Sequence, residues 1–114
     1  GYTVTGSTIT LGAASAIEVT NATDTATIAS ALANGLTAGA GTTAIEKTGA
    51  GTLFLTGSNT FNGNVLISAG TLSVTNGQAD AALGGNNAAD LVIINGGTFQ
   101  LTGGGGYDPA SGSE

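Results

Sequence analysis

The sequence predicts an all-β chain wound as a β-solenoid of about five coils, with Gly and Asn at the corners. Three observations carry this reading. First, a short unit, Gly-Thr-apolar-x-apolar-Thr-Gly/Asn, recurs as GTLFLTG at 51–57, GTLSVTN at 70–76 and GTFQLTG at 97–103. Second, an apolar run precedes each copy: AIEK at 44–47, VLIS at 65–68 and LVII at 91–94. Third, Gly supplies 21 of the 114 residues, and its placement between these runs marks corners rather than a flexible linker.

The elements follow in order. Residues 2–5, 8–11 and 16–20 alternate apolar residues with Thr or Glu, the period of two expected of half-buried strands. β-Branched Thr, Val and Ile suit that pleated surface. Residues 26–36 (ATIASALANGL) are ambiguous between strand and a short helix ending at Gly35. Copies of the unit then start at 51, 70 and 97, spaced 19 and 27 residues apart, and each contributes two short strands per period. Within the unit, Leu53 and Leu55, Leu72 and Val74, and Phe99 and Leu101 share one face, while Thr52, Thr71 and Thr98 take the other. Stacking these units builds a continuous aliphatic column and leaves Thr ladders outside. Gly49, Gly51, Gly57, Asn62-Gly63, Asn76-Gly77, Gly84-Gly85 and Asn95-Gly96-Gly97 fall between strands, where sharp turns need residues tolerant of positive φ. Residues 78–83 could form one helical turn at a corner. Residues 103–114 (GGGGYDPASGSE) read as a flexible tail, so the division expected is a solenoid over 1–102 and a tail over 103–114.

Composition excludes several functions. Charged residues make up 7% of the chain, and seven acids face a single base, Lys47; typical soluble domains carry about 25% charged residues. Nucleic-acid binding needs several cations to neutralise phosphates, and docking on an anionic membrane needs the same. Without Cys or His, the usual ligands of zinc, copper, haem and iron–sulfur centres are missing, as are imidazole bases. No run of about 18 apolar residues is present to span a bilayer as a helix. The chain begins at Gly1 with no basic, Met-initiated leader, so it reads as an excised or processed piece.

Residues 47–84, KTGAGTLFLTGSNTFNGNVLISAGTLSVTNGQADAALG, resemble the passenger-associated transport repeat of bacterial autotransporter proteins. Lys47, Gly49, Gly51, Thr52, Leu53, Leu55, Gly57, Asn59, Thr60, Phe61 and Gly63 match its pattern in order, and Ile67, Gly70, Thr71, Leu72, Leu83 and Gly84 continue it. Asn64 departs from it, standing where a second Gly is common. The residues ATIASAL upstream also resemble the strand that precedes this repeat, which favours strand over helix for 26–32. The resemblance implies a right-handed parallel β-helix, secreted through the outer membrane by a C-terminal barrel that this sequence does not contain.

Candidate sites are few. Glu18, Asp24, Glu46, Asp80, Asp90 and Asp108 are scattered, and Glu46 and Lys47, adjacent on a strand, point to opposite faces. The charges read as solvated surface, with no catalytic, cofactor-binding or metal site and no enzymatic activity expected. GGGGYD at 103–108 fits the first places of a calcium-binding nonapeptide, but once only, where a calcium roll needs stacked copies. Asn21-Ala22-Thr23 is a formal N-glycosylation sequon. Thr60 and Phe61 read as a corner, with Asn59 anchoring the turn and Phe61 covering it, in preference to an exposed recognition patch. The 19- and 27-residue periods are too irregular for an ice-binding face.

The function expected is a non-catalytic structural rod or stalk segment of a secreted protein at the bacterial surface. A subunit of a self-assembling extracellular fibre, joined through open solenoid ends, is one alternative. An adhesin or glycan-binding module using exposed Thr and Asn, in contact with surface glycans or host cells, is another.

Overall fold

The computed structural model describes residues 1–12, 14–34, 42–75 and 91–102. Those residues form eleven strands: β1 (Tyr2–Val4), β2 (Ile9–Leu11), β3 (Ser15–Glu18), β4 (Thr25–Ile28), β5 (Leu32–Asn34), β6 (Thr43–Thr48), β7 (Thr52–Leu55), β8 (Asn64–Ile67), β9 (Thr71–Thr75), β10 (Val92–Ile94) and β11 (Thr98–Thr102). All pairings between them are parallel. One sheet has the order β1-β4-β7-β9-β11, a second β10-β8-β6-β3, and a third β2-β5. The chain therefore visits the sheets in rotation, each new strand lying beside the one laid down a period earlier. This all-β arrangement of stacked parallel strands is compatible with a β-solenoid.

The register accounts for the repeated unit. In the first sheet Ala26, Leu53, Leu72 and Phe99 stand in one column, and Ile28, Leu55, Val74 and Leu101 in another. Leu53, Leu55 and Leu72 are wholly buried, because residues two apart on a strand share a face and the parallel ladder sets like on like. In the second sheet Ile45, Val65 and Val92 form one inward column, and Ile17, Lys47, Ile67 and Ile94 a second. The two sets meet in a single core. A bulge at Ala44 lets β6 keep register with β8 on either side of it.

Backbone hydrogen bonds run through the corners as well as the strands: Ser68 N donates to Lys47 O (3.0 Å), Thr71 N to Gly51 O (3.1 Å), Asn95 N to Ile67 O (2.8 Å) and Thr98 N to Gly70 O (2.8 Å). Successive layers are thus joined around their bends, where a buried backbone would otherwise leave polar groups unpaired.

The ambiguous stretch is extended, as the resemblance suggests, but as two strands rather than one. β4 ends at Ile28, the chain bends through residues 29–31, and β5 begins at Leu32. Ile28 belongs to the first sheet and Leu32 pairs with Ile9 of β2 in the third, so the bend carries the chain from one sheet to the next. The early layers consequently use three strands each, one more than the unit alone suggests. Between β7 and β8 the third side is spanned without a strand. The expected corner turn at 78–83 and the tail at 103–114 lie outside the described residues.

Candidate functional site

The residue types that carry chemistry do not converge among the described residues. Glu18 and Asp24 are exposed. Glu46 is half-buried and accepts a 2.5 Å hydrogen bond from Ser68 Oγ, one layer on. No group of three or more potential metal ligands occurs among the described residues. Asp80, Asp90, Asp108 and the motif at 103–108 lie outside them. The sequon at Asn21 forms an exposed turn, with Asn21 Nδ2 donating to Asp24 Oδ2 (2.8 Å) and Asp24 N to Asn21 O (3.0 Å).

Lys47 corrects the reading of its charge as solvated surface. Its residue exposure is 0%. Strand alternation puts it on the same inward face as Ile45, and the ladder sets it between Ile17 and Ile67. The aliphatic stem occupies a core position while the ammonium reaches the corner between β6 and β7, a division long cationic side chains allow. There Nζ donates to Thr48 O (2.6 Å), Gly49 O (2.8 Å) and Ala69 O (3.3 Å), so each of its three protons has an acceptor. Burial lowers the Lys47 pKa from its ordinary 10.5, and the nearby Glu18 carboxylate partly opposes that shift.

The cation stands where the corner changes length. Between the aligned positions Lys47 and Thr52 the corner holds four residues. The equivalent corners, from Ile67 to Thr71 and from Ile94 to Thr98, hold three each, and the earlier one, from Ile17 to Thr25, holds seven. The corner narrows by one residue between the layer of Lys47 and the next. Across that step the backbone pairs at the two ends of the corner, Ser68 N with Lys47 O and Thr71 N with Gly51 O. Lys47 takes up the carbonyls of Gly49 on the wider corner and Ala69 on the narrower one. Thr48 O has a second partner in Val19 N (3.2 Å).

Glycine makes that close approach possible. Gly49 has φ 73° and Gly70 φ 64°. A Cβ on Gly49 would overlap Val19 O, and one on Gly70 would overlap both Gly49 O and Gly51 O. Three successive corners lie backbone upon backbone here.

The side spanned without a strand is held by two asparagines and an aromatic ring. Asn59 is buried, and its Oδ1 accepts a 2.8 Å hydrogen bond from Leu32 N of the preceding layer. Phe61 is wholly buried in the core. The corner reading of these residues therefore holds; of the proposed patch, only Thr60 is exposed. Asn64, which stands where a second Gly is common, adds a bond between layers. Its Oδ1 accepts from Leu91 N of the following layer (2.9 Å), so Asn59 and Asn64 tie the same segment to the layers on either side. Their polarity alone could have suggested side-chain bonds to backbone, but not which layer each one reaches.

The outer Thr column is present but not uniform. Thr25, Thr52, Thr71 and Thr98 stand in register, with Thr52 and Thr71 only half-exposed. The next outward column reads Thr3, Thr27, Phe54, Ser73 and Gln100. Phe54 interrupts any hydroxyl array, and Ser73 is wholly buried with its Oγ unpaired.

The stretch built around this corner step is the one that matches a known family: residues 45–74 match the passenger-associated-transport-repeat. The chain carries a repeat of the autotransporter passenger family. Over 103 residues, 90% of its length, it is also 41% identical to the adhesin BmaC autotransporter of Brucella suis biovar 1 (strain 1330). That alignment covers 3% of the relative, so the chain spans a small fraction of the curated protein it matches. No solved structure gives a match.

The passenger repeat thus has a physical rationale in this chain. Lys47 and the glycines at 49, 51 and 70 form one packed corner, and Asn59, Phe61 and Gly63 close the side that has no strand.

Proposed function

We propose that the chain is a segment of a right-handed β-helical rod of about five coils, in the passenger of a secreted bacterial surface protein, with a mechanical rather than catalytic role. The carrying observation is the unbroken register of the first sheet. Five parallel strands stack like on like, with the two inner columns buried on β7 and β9 and partly covered on β4. The absence of convergent acids, bases or nucleophiles among the described residues supports a non-catalytic role. Resemblance to the autotransporter passenger repeat supports placement outside the cell.

Small-angle X-ray scattering tests the rod. The chain is compared with versions extended by one and two copies of residues 45–74. A rod keeps its cross-section and lengthens by about 4.8 Å for each added coil. Growth of the cross-sectional radius with added copies would overturn the reading.

A second reading, an adhesin segment, is favoured by the outward Thr column and by the similarity to the Brucella adhesin. Dose-dependent glycan binding, lost on replacing Thr25 and Thr98 with Val, would establish it; binding unchanged by those substitutions would remove the column from consideration.

A further inference from the structure

Lys47 is the one basic residue among all 114. A protease that selects basic residues therefore has a single bond to cut in this chain, the one between Lys47 and Thr48. The exposed turn at 21–24, the kind of loop tip that proteases nick most readily, carries no basic residue.

Three features of the folded chain stand between that bond and an enzyme. The first is the side chain. A trypsin-class protease holds the lysine ammonium in a pocket beside an acid, and here Lys47 has no exposed surface. Its stem lies between Ile17 and Ile67, and its ammonium is held by the carbonyls of Thr48, Gly49 and Ala69. The second is the strand. An extended segment is captured through a free edge of its backbone, and β6 is paired on both sides, with β3 and with β8. The third is the carbonyl to be attacked. It must turn toward the donors of an oxyanion hole, and Lys47 O already accepts a 3.0 Å hydrogen bond from Ser68 N.

We infer that the bond between Lys47 and Thr48 is a folding-gated cleavage site: a protease that selects basic residues cuts the unfolded chain there, once, and leaves the folded chain whole. Hydrolysis adds one water across the bond, leaving a carboxylate on Lys47 and a free amine on Thr48, and needs no other reactant. Freeing Lys47 requires β6 to part from β3 and β8, and its corner to part from the corner at 67–71. Stacked layers can open locally in this way without global unfolding. The cation that ties two layers together thus makes their separation irreversible wherever such a protease is present. The inference uses contacts between described layers and does not depend on the rod's role in a longer protein.

Digestion of the whole chain with trypsin tests it, with the fragments identified by mass. Ala22→Lys supplies an exposed lysine in the turn at 21–24 for comparison, and Thr23→Lys replaces it if circular dichroism shows that variant unfolded. In native buffer, cutting after Lys47 is expected to be at least about a hundredfold slower than cutting at the introduced site, because it waits for the open state. In urea that unfolds the native chain, a brief pulse of trypsin is expected to leave two fragments, residues 1–47 and 48–114. A smaller difference between the two sites in the folded chain, or an unfolded chain that stays whole, would overturn the inference. Neither result bears on the scattering test of the rod.

Discussion

Replacing Lys47 with Met separates the ammonium from the stem that carries it. Met keeps most of the apolar volume between Ile17 and Ile67 and removes the three donors. Thr48 O retains Val19 N, so the carbonyls that lose their bond are those of Gly49, at 2.8 Å, and Ala69, at 3.3 Å. An unpaired buried carbonyl costs about 1–3 kcal/mol, with the longer bond at the low end. Relief of the ammonium's desolvation offsets part of this, leaving a net loss of about 2 kcal/mol. For a domain of this size that lowers Tm by roughly 10 °C. Lys47→Ala also removes the stem methylenes, at about 0.8 kcal/mol each, and is expected to cost about twice as much. Thermal and urea unfolding supply the magnitudes. Because stacked repeats need not unfold in one step, hydrogen exchange supplies the location: the amides of Ala50, Gly51 and Ser68, which bridge layers at this corner, should exchange faster, while those of Ile9 and Thr60 keep their protection. A Met variant as stable as the native chain, with unchanged exchange at the corner, would show that the carbonyls do not need the cation and would refute this account of the corner.

Other consequences follow from the same geometry. The Lys47 pKa is lowered on folding, so the folded state binds fewer protons than the unfolded one as pH approaches 10.5. Native stability measured against Lys47→Met should therefore rise with pH between the folded pKa and 10.5; a fall in paired urea titrations across that window would contradict the burial. Gly70→Ala combines a left-handed backbone with overlap onto Gly49 O and Gly51 O. It is expected to cost about 3 kcal/mol or more, and a stability change under 1 kcal/mol on chemical unfolding would show that the corners are not in contact. Ser73→Ala removes a buried, unpaired hydroxyl and should be neutral or stabilising by about 1 kcal/mol; a clear loss of Tm would mean that the hydroxyl has a partner. Phe61→Ala empties a fully buried position on the side spanned without a strand and should cost about 3–5 kcal/mol, whereas a surface recognition role would leave unfolding unchanged.

Much of this fold is written in the sequence because a parallel stack repeats its own constraints. Alternation places Leu53, Leu55, Leu72 and Val74 inside, and the recurring Gly-Thr start fixes where β7, β9 and β11 begin. These features depend on neighbours two residues apart and on copies of one unit, so they are legible without the third dimension. The division of residues 26–34 into two strands was not legible: propensity leaves that stretch open, and the bend exists because Ile28 and Leu32 stack on different sheets. Nor was the role of Lys47, since a lone charge ordinarily belongs in water. Whether a lysine can be buried depends on three carbonyls gathered from Thr48, Gly49 and Ala69, and the last belongs to another layer. Asn59 and Asn64 are alike in this respect, for their bonds run to Leu32 and Leu91, 27 residues away in each case. Sequence alone determined the strands of the repeated unit, their inward columns and their Gly-bearing corners, because period and turn chemistry are local. Tertiary structure alone decided which corners touch and which polar groups are buried between them, because layer-to-layer register sets the partner of every buried donor and acceptor.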